Sequence, residues 1–280
     1  MKMKKVGYPY FAWMMLFILV PLLLVAYFAF TTGDSSTPGT FVLSFENFKR
    51  FLSPIYVGVL WRSLSLAMFS TLICFILGYP IAYIIASKKK SKTRNNLILL
   101  FVIPMWMNFL LRTYAWLTIL GKNGIINLLL NKLGFQSLDL LYNNGAVALS
   151  MVYNFLPFMV LPIYSVLIKM DRSLIEAAED LGASKASVFK KVIFPLSIPG
   201  VMTGFTMVFT PAVSTFIISN LLGGNKTNLM GNVIEQQFMY TGDWHFGSAM
   251  SIILMVIILI VMAFTNKGEN DVEGGKGTLW

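Results

Sequence analysis

Residues 63–94 read SLSLAMFSTLICFILGYPIAYIIASKKKSKTR, and this stretch decides the fold class. From 63 to 87 it carries no charge; the next seven residues then supply Lys88, Lys89, Lys90, Lys92 and Arg94. A helix rising about 1.5 Å per residue needs roughly 20 apolar residues to cross the hydrocarbon core of a bilayer. In lipid the backbone must satisfy its own hydrogen bonds, so a uniformly apolar run of this length forms a helix, whereas barrel strands alternate in polarity. Lysine and arginine concentrate on the cytoplasmic side of membrane proteins, so the basic cluster marks the end of this span that stays inside.

The same pattern repeats along the chain. Residues 6–33, 140–168, 192–225 and 246–266 are also free of charge, and 95–121 is interrupted once, by Arg112. Six spans are expected, at about 9–30, 60–85, 96–120, 145–168, 199–220 and 246–265. The amino terminus, 88–94, 169–191 and the tail hold 15 basic residues, and the alternate connections hold six. Both termini are therefore expected in the cytoplasm, with the chain crossing its membrane several times. The basic, apolar start resembles a signal peptide, but the apolar run is too long and no A-x-A cleavage site follows, so it reads as an uncleaved first helix. The organisation is a cytoplasmic segment 1–8, a transmembrane domain 9–265, and a polar, Gly-rich tail 266–280 expected to lack structure.

Composition agrees. Of 280 residues 56% are hydrophobic, 14% aromatic and 12% charged, against about 25% charged in soluble domains; mean hydropathy is +0.71. A soluble enzyme and a disordered chain are excluded. The net charge of +10 is a topology signal, so no nucleic-acid partner is implied, and membrane lipid is the expected surround. One cysteine, Cys74, and one histidine, His245, exclude a disulfide framework and a multi-Cys or His-rich metal site. No G-x4-G-K-[ST] motif occurs, so P-loop binding of ATP is not expected. Six prolines (Pro21, Pro80, Pro104, Pro157, Pro162, Pro211) fall within the spans and favour bent helices around a cavity over a simple anchor. Between spans, 45–57 suits a short interfacial helix, and 123–133 and 228–240 repeat apolar residues at helical spacing. These segments either cover the outer mouth of the bundle or offer a docking or gating surface.

The connection 169–198, KMDRSLIEAAEDLGASKASVFKKVIFPLSI, has its own structure. Asp171 or Ser173 can cap a helix in which Leu174, Ala177, Ala178 and Leu181 form one apolar stripe. Gly182 stands where a left-handed cap is needed. Ser184 can cap a second helix over 185–193, which Pro195 is expected to end. The small Ala177–Ala178 face would let another backbone approach closely.

These residues resemble a family. Glu176-Ala177-Ala178, Gly182 and Val192-x-Phe194-Pro195 follow E-A-A-x3-G-x9-I-x-L-P, the cytoplasmic signature of permease subunits of ATP-binding cassette (ABC) importers. Longer stretches, among them LGYPIAY at 77–83, IPMWMNFLLRTYAW at 103–116, YNFLPFMVLPIYSVL at 153–167 and LLGGNKTNLMGNVI at 221–234, are similar to the PotB-type permeases of spermidine/putrescine importers. The resemblance implies an all-α, polytopic fold of the type I, MetI-like permease class, and polyamine uptake. It implies that Glu176, Ala177, Ala178, Leu181 and Gly182 couple to an ATPase dimer. That dimer holds ATP and Mg²⁺; no cofactor is expected in this chain. It further implies a second, PotC-like permease and an extracytoplasmic, PotD-like binding protein. Alternatives are an ABC permease for ferric ion, an oxyanion or a thiamine-like cation, or a self-contained channel or secondary transporter. The last is disfavoured because no ionisable group lies at mid-membrane.

Polyamines are flexible polycations, held by carboxylates or aromatic faces. The spans contain no Asp or Glu, so a path through this chain would be lined by Tyr79, Tyr83, Trp106, Asn108, Tyr114, Trp116, Tyr153 and Asn154, with Glu235 and Asp243 as an acidic outer mouth. Arg112 is expected near the outer surface, snorkelling and paired with an outer carboxylate. No residue is read as catalytic, and none as a metal ligand.

Overall fold

The structure is a computed structural model describing residues 8–32, 42–224 and 226–274. The segment 1–8 and the end of the tail, 275–280, are expectations that lie largely or wholly outside these residues. Helix α1 (Ala12–Ala29) leads into a short antiparallel pair, β1 (Thr31–Thr32) with β2 (Val42–Leu43), in which Thr31 faces Leu43. Then come α2 (Glu46–Phe51), where an interfacial helix was expected, and α3 (Pro54–Ala86). Helices α4 (Ser91–Val102), α5 (Phe109–Leu120) and α6 (Ile125–Lys132) precede the long α7 (Asn144–Lys169). The remainder is α8 (Arg172–Asp180), α9 (Lys185–Ser214), α10 (Ile217–Gly223), α11 (Met230–Gln236) and α12 (Trp244–Gly274).

Five helices are long and apolar enough to cross a membrane, and α4 with α5–α6 forms a sixth, bent candidate. The chain folds around α7. In its most apolar window 67% of residues are buried, against 6% for α1, so α7 is central and α1 peripheral. Helix α7 packs most extensively on α3 and α9, while α1 packs chiefly on α12. Met151, Met159 and Ile163 of α7 are fully enclosed, with Val208 of α9 and Met250 of α12. Close approach of α9 to α7 depends on Gly200 and Gly204, one turn apart. A Cβ on Gly200 would lie 2.9 Å from the Pro162 carbonyl oxygen, and one on Gly204 would lie 2.8 Å from Met159 Sδ. Without a hydrophobic drive between helices in lipid, such small-residue contacts supply the packing.

Three expectations change. The third span, 96–120, is not one straight helix: Ser91–Trp106 and Phe109–Lys132 meet at 90°. Pro104 starts a 3₁₀ turn, Ile103–Trp106, and Asn108 then caps a new helix, its Oδ1 accepting from Leu110 N at 2.8 Å. The capping amide stabilises a fresh start, so the chain turns there. Second, Pro195 does not end the helix begun at Lys185. A π-helical turn, Phe189–Ile193, lies just before it, and the helix runs on to Ser214. The wider turn accommodates the proline ring and its missing donor. Third, α12 continues to Gly274, so helix extends into the tail expected to lack structure; adding residues to an existing helix costs far less than nucleating one.

The ends of α3, α7 and the start of α9 meet beside the basic segments 88–94 and 169–191; this is the basic end of the bundle. At the opposite end Met230 N donates to Ser63 Oγ at 2.7 Å, and Thr227 Oγ1 donates to Asn144 Oδ1 at 2.8 Å, tying α11 and its approach to α3 and α7.

Candidate coupling face and translocation groove

At the basic end α8 is built from local signals. Asp171 Oδ1 accepts from Ser173 N at 3.0 Å, settling which of the two caps the helix. The backbone N–H of Ser173, and then its hydroxyl, hold the Asp171 carboxyl below its ordinary range. Gly182 has φ +81°, Gly182 N donates to Glu179 O at 2.9 Å, and Ala183 N donates to Ala178 O at 3.1 Å. This pair of bonds closes the helix in a Schellman motif, which needs a left-handed residue where Gly182 stands.

Helix α8 has two faces. Arg172, Ile175, Glu176 and Glu179 line a cavity of about 580 Å³ between α8 and the ends of α3, α7 and α9. On the opposite side Leu174 and Leu181 are 48% and 89% exposed, with Ala177 exposed beside them. An apolar, small-residue stripe thus points away from the protein, exposed among the described residues. Glu176 turns the other way, into the cavity, and separates from the Ala177–Ala178 stripe with which it was grouped.

The region beneath α8 is aromatic. Tyr79 is buried, its hydroxyl 2.8 Å from Ser197 Oγ, and its ring lies 5.8 Å from Phe189 and 5.6 Å from Phe194. Tyr83 meets Phe189 edge-on at 5.5 Å and lines the same cavity. These two tyrosines, expected on a substrate path, lie where α3 meets the helix that follows α8.

At the opposite end a groove of about 730 Å³ runs beside α12, walled by Phe216, Ile234, Phe238, Trp244 and Met255, with Glu235 at its side. Glu235 is held by an amide chain. Its Oε2 accepts from Asn220 Nδ2 at 2.8 Å, and Asn220 Oδ1 accepts in turn from Asn232 Nδ2. Asn232 Oδ1 accepts from Ser219 Oγ at 2.5 Å and from Leu229 N at 3.0 Å. The carboxylate is therefore fixed beside aromatic faces in an apolar groove, an arrangement suited to an organic cation.

Asp243 is placed differently. Its Oδ2 pairs with Arg50 Nη1 at 2.6 Å, its Oδ1 accepts from Phe246 N at 3.0 Å, and the guanidinium lies 4.0 Å above the Phe246 ring. With its charge matched, Asp243 does not form an acidic mouth with Glu235. Asn154 is buried in α7, donating to Ser150 O at 2.9 Å, and Trp116 and Tyr153 meet edge-on at 5.4 Å. Trp106, Asn108 and Tyr114 sit exposed on and beside the bent third span. The ten expected path residues thus do not gather in one place: Tyr83 lines the cavity behind α8, and Glu235 lines the groove beside α12. Arg112 is 8% exposed, its guanidinium 5.9 Å from the Phe109 ring, and among the described residues it pairs with no carboxylate. The turn at 107–108 carries it into the protein instead of out to the surface.

Residues 78–268, which include α8, its Schellman turn and the groove beside α12, match the family described as "Binding-protein-dependent transport system inner membrane component". The chain belongs to that family. Two curated relatives of this inner membrane component are each called "Spermidine/putrescine transport system permease protein PotB". The one from Haemophilus influenzae is 41% identical, over 92% of this chain and 91% of its own length; the one from Escherichia coli K12 is 40% identical, over 89% and 91%. A chain of a solved bacterial ABC transporter "involved in the import of the acidic polysaccharide alginate" superposes with a TM-score of 0.80 at 16% identity, covering 96% of this chain and 94% of that one, which shows the fold. The inner membrane component is thus a multi-pass, all-α ABC permease. Residues that sequence reading passed over in it are Asn220 and Asn232, which position Glu235. Their signal was faint, since they are two of four asparagines in 216–234, a stretch that also holds Lys226 and Thr227.

Proposed function

We propose that this chain is the permease subunit of an ATP-driven polyamine importer, forming the translocation path with a second, PotC-like permease and receiving spermidine or putrescine from a PotD-like binding protein. Its near full-length identity to the spermidine/putrescine permeases carries this reading. Both termini are cytoplasmic, which puts the basic end inside and the Glu235 groove outside. The exposed Leu174–Ala177–Leu181 face of α8 docks on the ATPase dimer, where ATP and Mg²⁺ are bound. ATP-driven closure of that dimer moves α8, and the continuous helix from Lys185 to Ser214 carries the motion through the membrane. The two permeases then open outward, and hydrolysis resets them. The chain itself performs no chemical step.

Within the groove the Glu235 carboxylate and nearby ring faces receive one ammonium of the polyamine at a time. A single carboxylate in the path suits a relay, since a stronger cluster would hold the polycation. Uptake of radiolabelled spermidine, in cells lacking their own system and supplied with all partner subunits, tests this. Glu235→Gln keeps the bond from Asn220 but removes the charge, and should raise KM by about tenfold or more, the effect of losing one charge-assisted hydrogen bond. Absence of polyamine uptake by the unaltered chain would refute the substrate. A reporter fused after Phe264 should read as cytoplasmic.

A further inference from the structure

The cavity behind α8 has no part in the transport cycle just described, yet it is built like a binding site. Its volume of about 580 Å³ lies within the usual range for small-molecule sites. Its membrane-side wall is apolar, from Leu167 and Ile168 at the end of α7 and Val188 and Ile193 of α9. Its other walls carry both charges: Lys89, Arg94, Arg172 and Lys185 against Glu176 and Glu179. Neither ion pair among the described residues involves any of these six. The Nε of Arg94 is enclosed in protein and has no hydrogen-bond partner among the described residues. Arg94 itself lines the cavity, so its guanidinium stands at the wall with part of its hydrogen-bonding capacity unused, where an anionic acceptor can be received.

We propose that this cavity binds a phosphoethanolamine headgroup, that of phosphatidylethanolamine from the adjoining leaflet. The phosphate is the acceptor for Arg94, whose planar fork suits two phosphate oxygens, and Lys89, Arg172 and Lys185 supply the surrounding positive charge. The ammonium of the same headgroup meets Glu176 or Glu179. A purely anionic headgroup would satisfy the cations and leave the two carboxylates opposed to it, and the mixed walls therefore select a zwitterion. The acyl chains leave along Leu167 and Ile168, at the level where α7 emerges from the apolar core. A filled cavity supports α8 from behind and leaves its opposite face free.

The test uses the full chain with its copurifying subunits, reconstituted into discs of defined phosphatidylethanolamine and phosphatidylglycerol content and then examined by native mass spectrometry. The wild-type protein should retain phosphatidylethanolamine in preference to phosphatidylglycerol. Arg94→Gln should lower that occupancy by about tenfold, the effect of losing one charge-assisted hydrogen-bonded contact. Lys185→Gln, at an exposed position, should lower it less while leaving the thermal unfolding midpoint unchanged. Equal occupancy in the wild type and both variants would overturn the site, and equal retention of the two lipids would overturn the zwitterion. Phosphorus NMR on delipidated protein distinguishes the source: saturable binding of free phosphate or phosphoethanolamine, with no lipid retained from the discs, would overturn the lipid assignment.

Discussion

Asp243 and Glu235 lie eight positions apart in the sequence and look alike there, as acidic residues flanking the last span. Their surroundings separate them. Arg50 reaches Asp243 from the other end of the chain; although partial burial works against its charge, the carboxylate holds the guanidinium above its ordinary value. Glu235 instead meets, among the described residues, the neutral amide of Asn220 and no cation, which leaves it open to a cationic solute. Asp243→Asn should therefore leave the KM for polyamine unchanged and lower stability by less than about 1 kcal/mol, since the pair is partly exposed and the replacement side chain can still accept from Phe246 N. Uptake kinetics with thermal unfolding in detergent check both parts; a KM change like that of Glu235→Gln would return Asp243 to the path. Sequence alone offered no route to this distinction. Arg50 and Asp243 are 193 positions apart, and only the fold brings them together.

Legibility improves where the signal is local. The cap of α8, narrowed to Asp171 or Ser173, and its end at Gly182 were both readable, because each depends on residues within one or two turns. The side of the helix taken by Glu176 was not, because that depends on the ends of three other helices. The turn at 107–108 lies between these cases: Pro104 and Asn108 announce a break, but hydropathy averaged across 95–121 conceals it. For α8 the exposed stripe makes a specific expectation. Leu181→Glu or Ala178→Arg should reduce transport and substrate-stimulated ATP hydrolysis severalfold, while membrane-inserted protein stays near the wild-type amount, because Leu181 has little to lose within its own chain. Measuring ATPase activity in the reconstituted complex against the quantity of inserted permease distinguishes lost coupling from lost folding. Unaltered coupling in both variants would remove this face from the interface.

Across the whole molecule, the candidate spans coincide with runs nearly free of charge, and the close packing of two of them depends on small residues. A Cβ on Gly200 would meet a backbone carbonyl at 2.9 Å, whereas one on Gly204 would first meet the Met159 side chain at Sδ, with the nearest backbone oxygen at 3.2 Å. Gly200→Ala should therefore be the more damaging, destabilising by about 1–3 kcal/mol as α9 is pushed from α7, with Gly204→Ala milder because Met159 can move. Thermal unfolding of the two purified variants decides the order. The peripheral position of α1 bears on how the protein is made. Its packing against the protein comes chiefly from α12, where His245 Nδ1 lies 3.0 Å from Phe28 O and 3.2 Å from Thr31 Oγ1, with Asn47 of α2 adding a bond to Ala29 O at 3.4 Å. A ribosome delivers α1 well before α12, so α1 waits among lipids until its principal packing partner has been made.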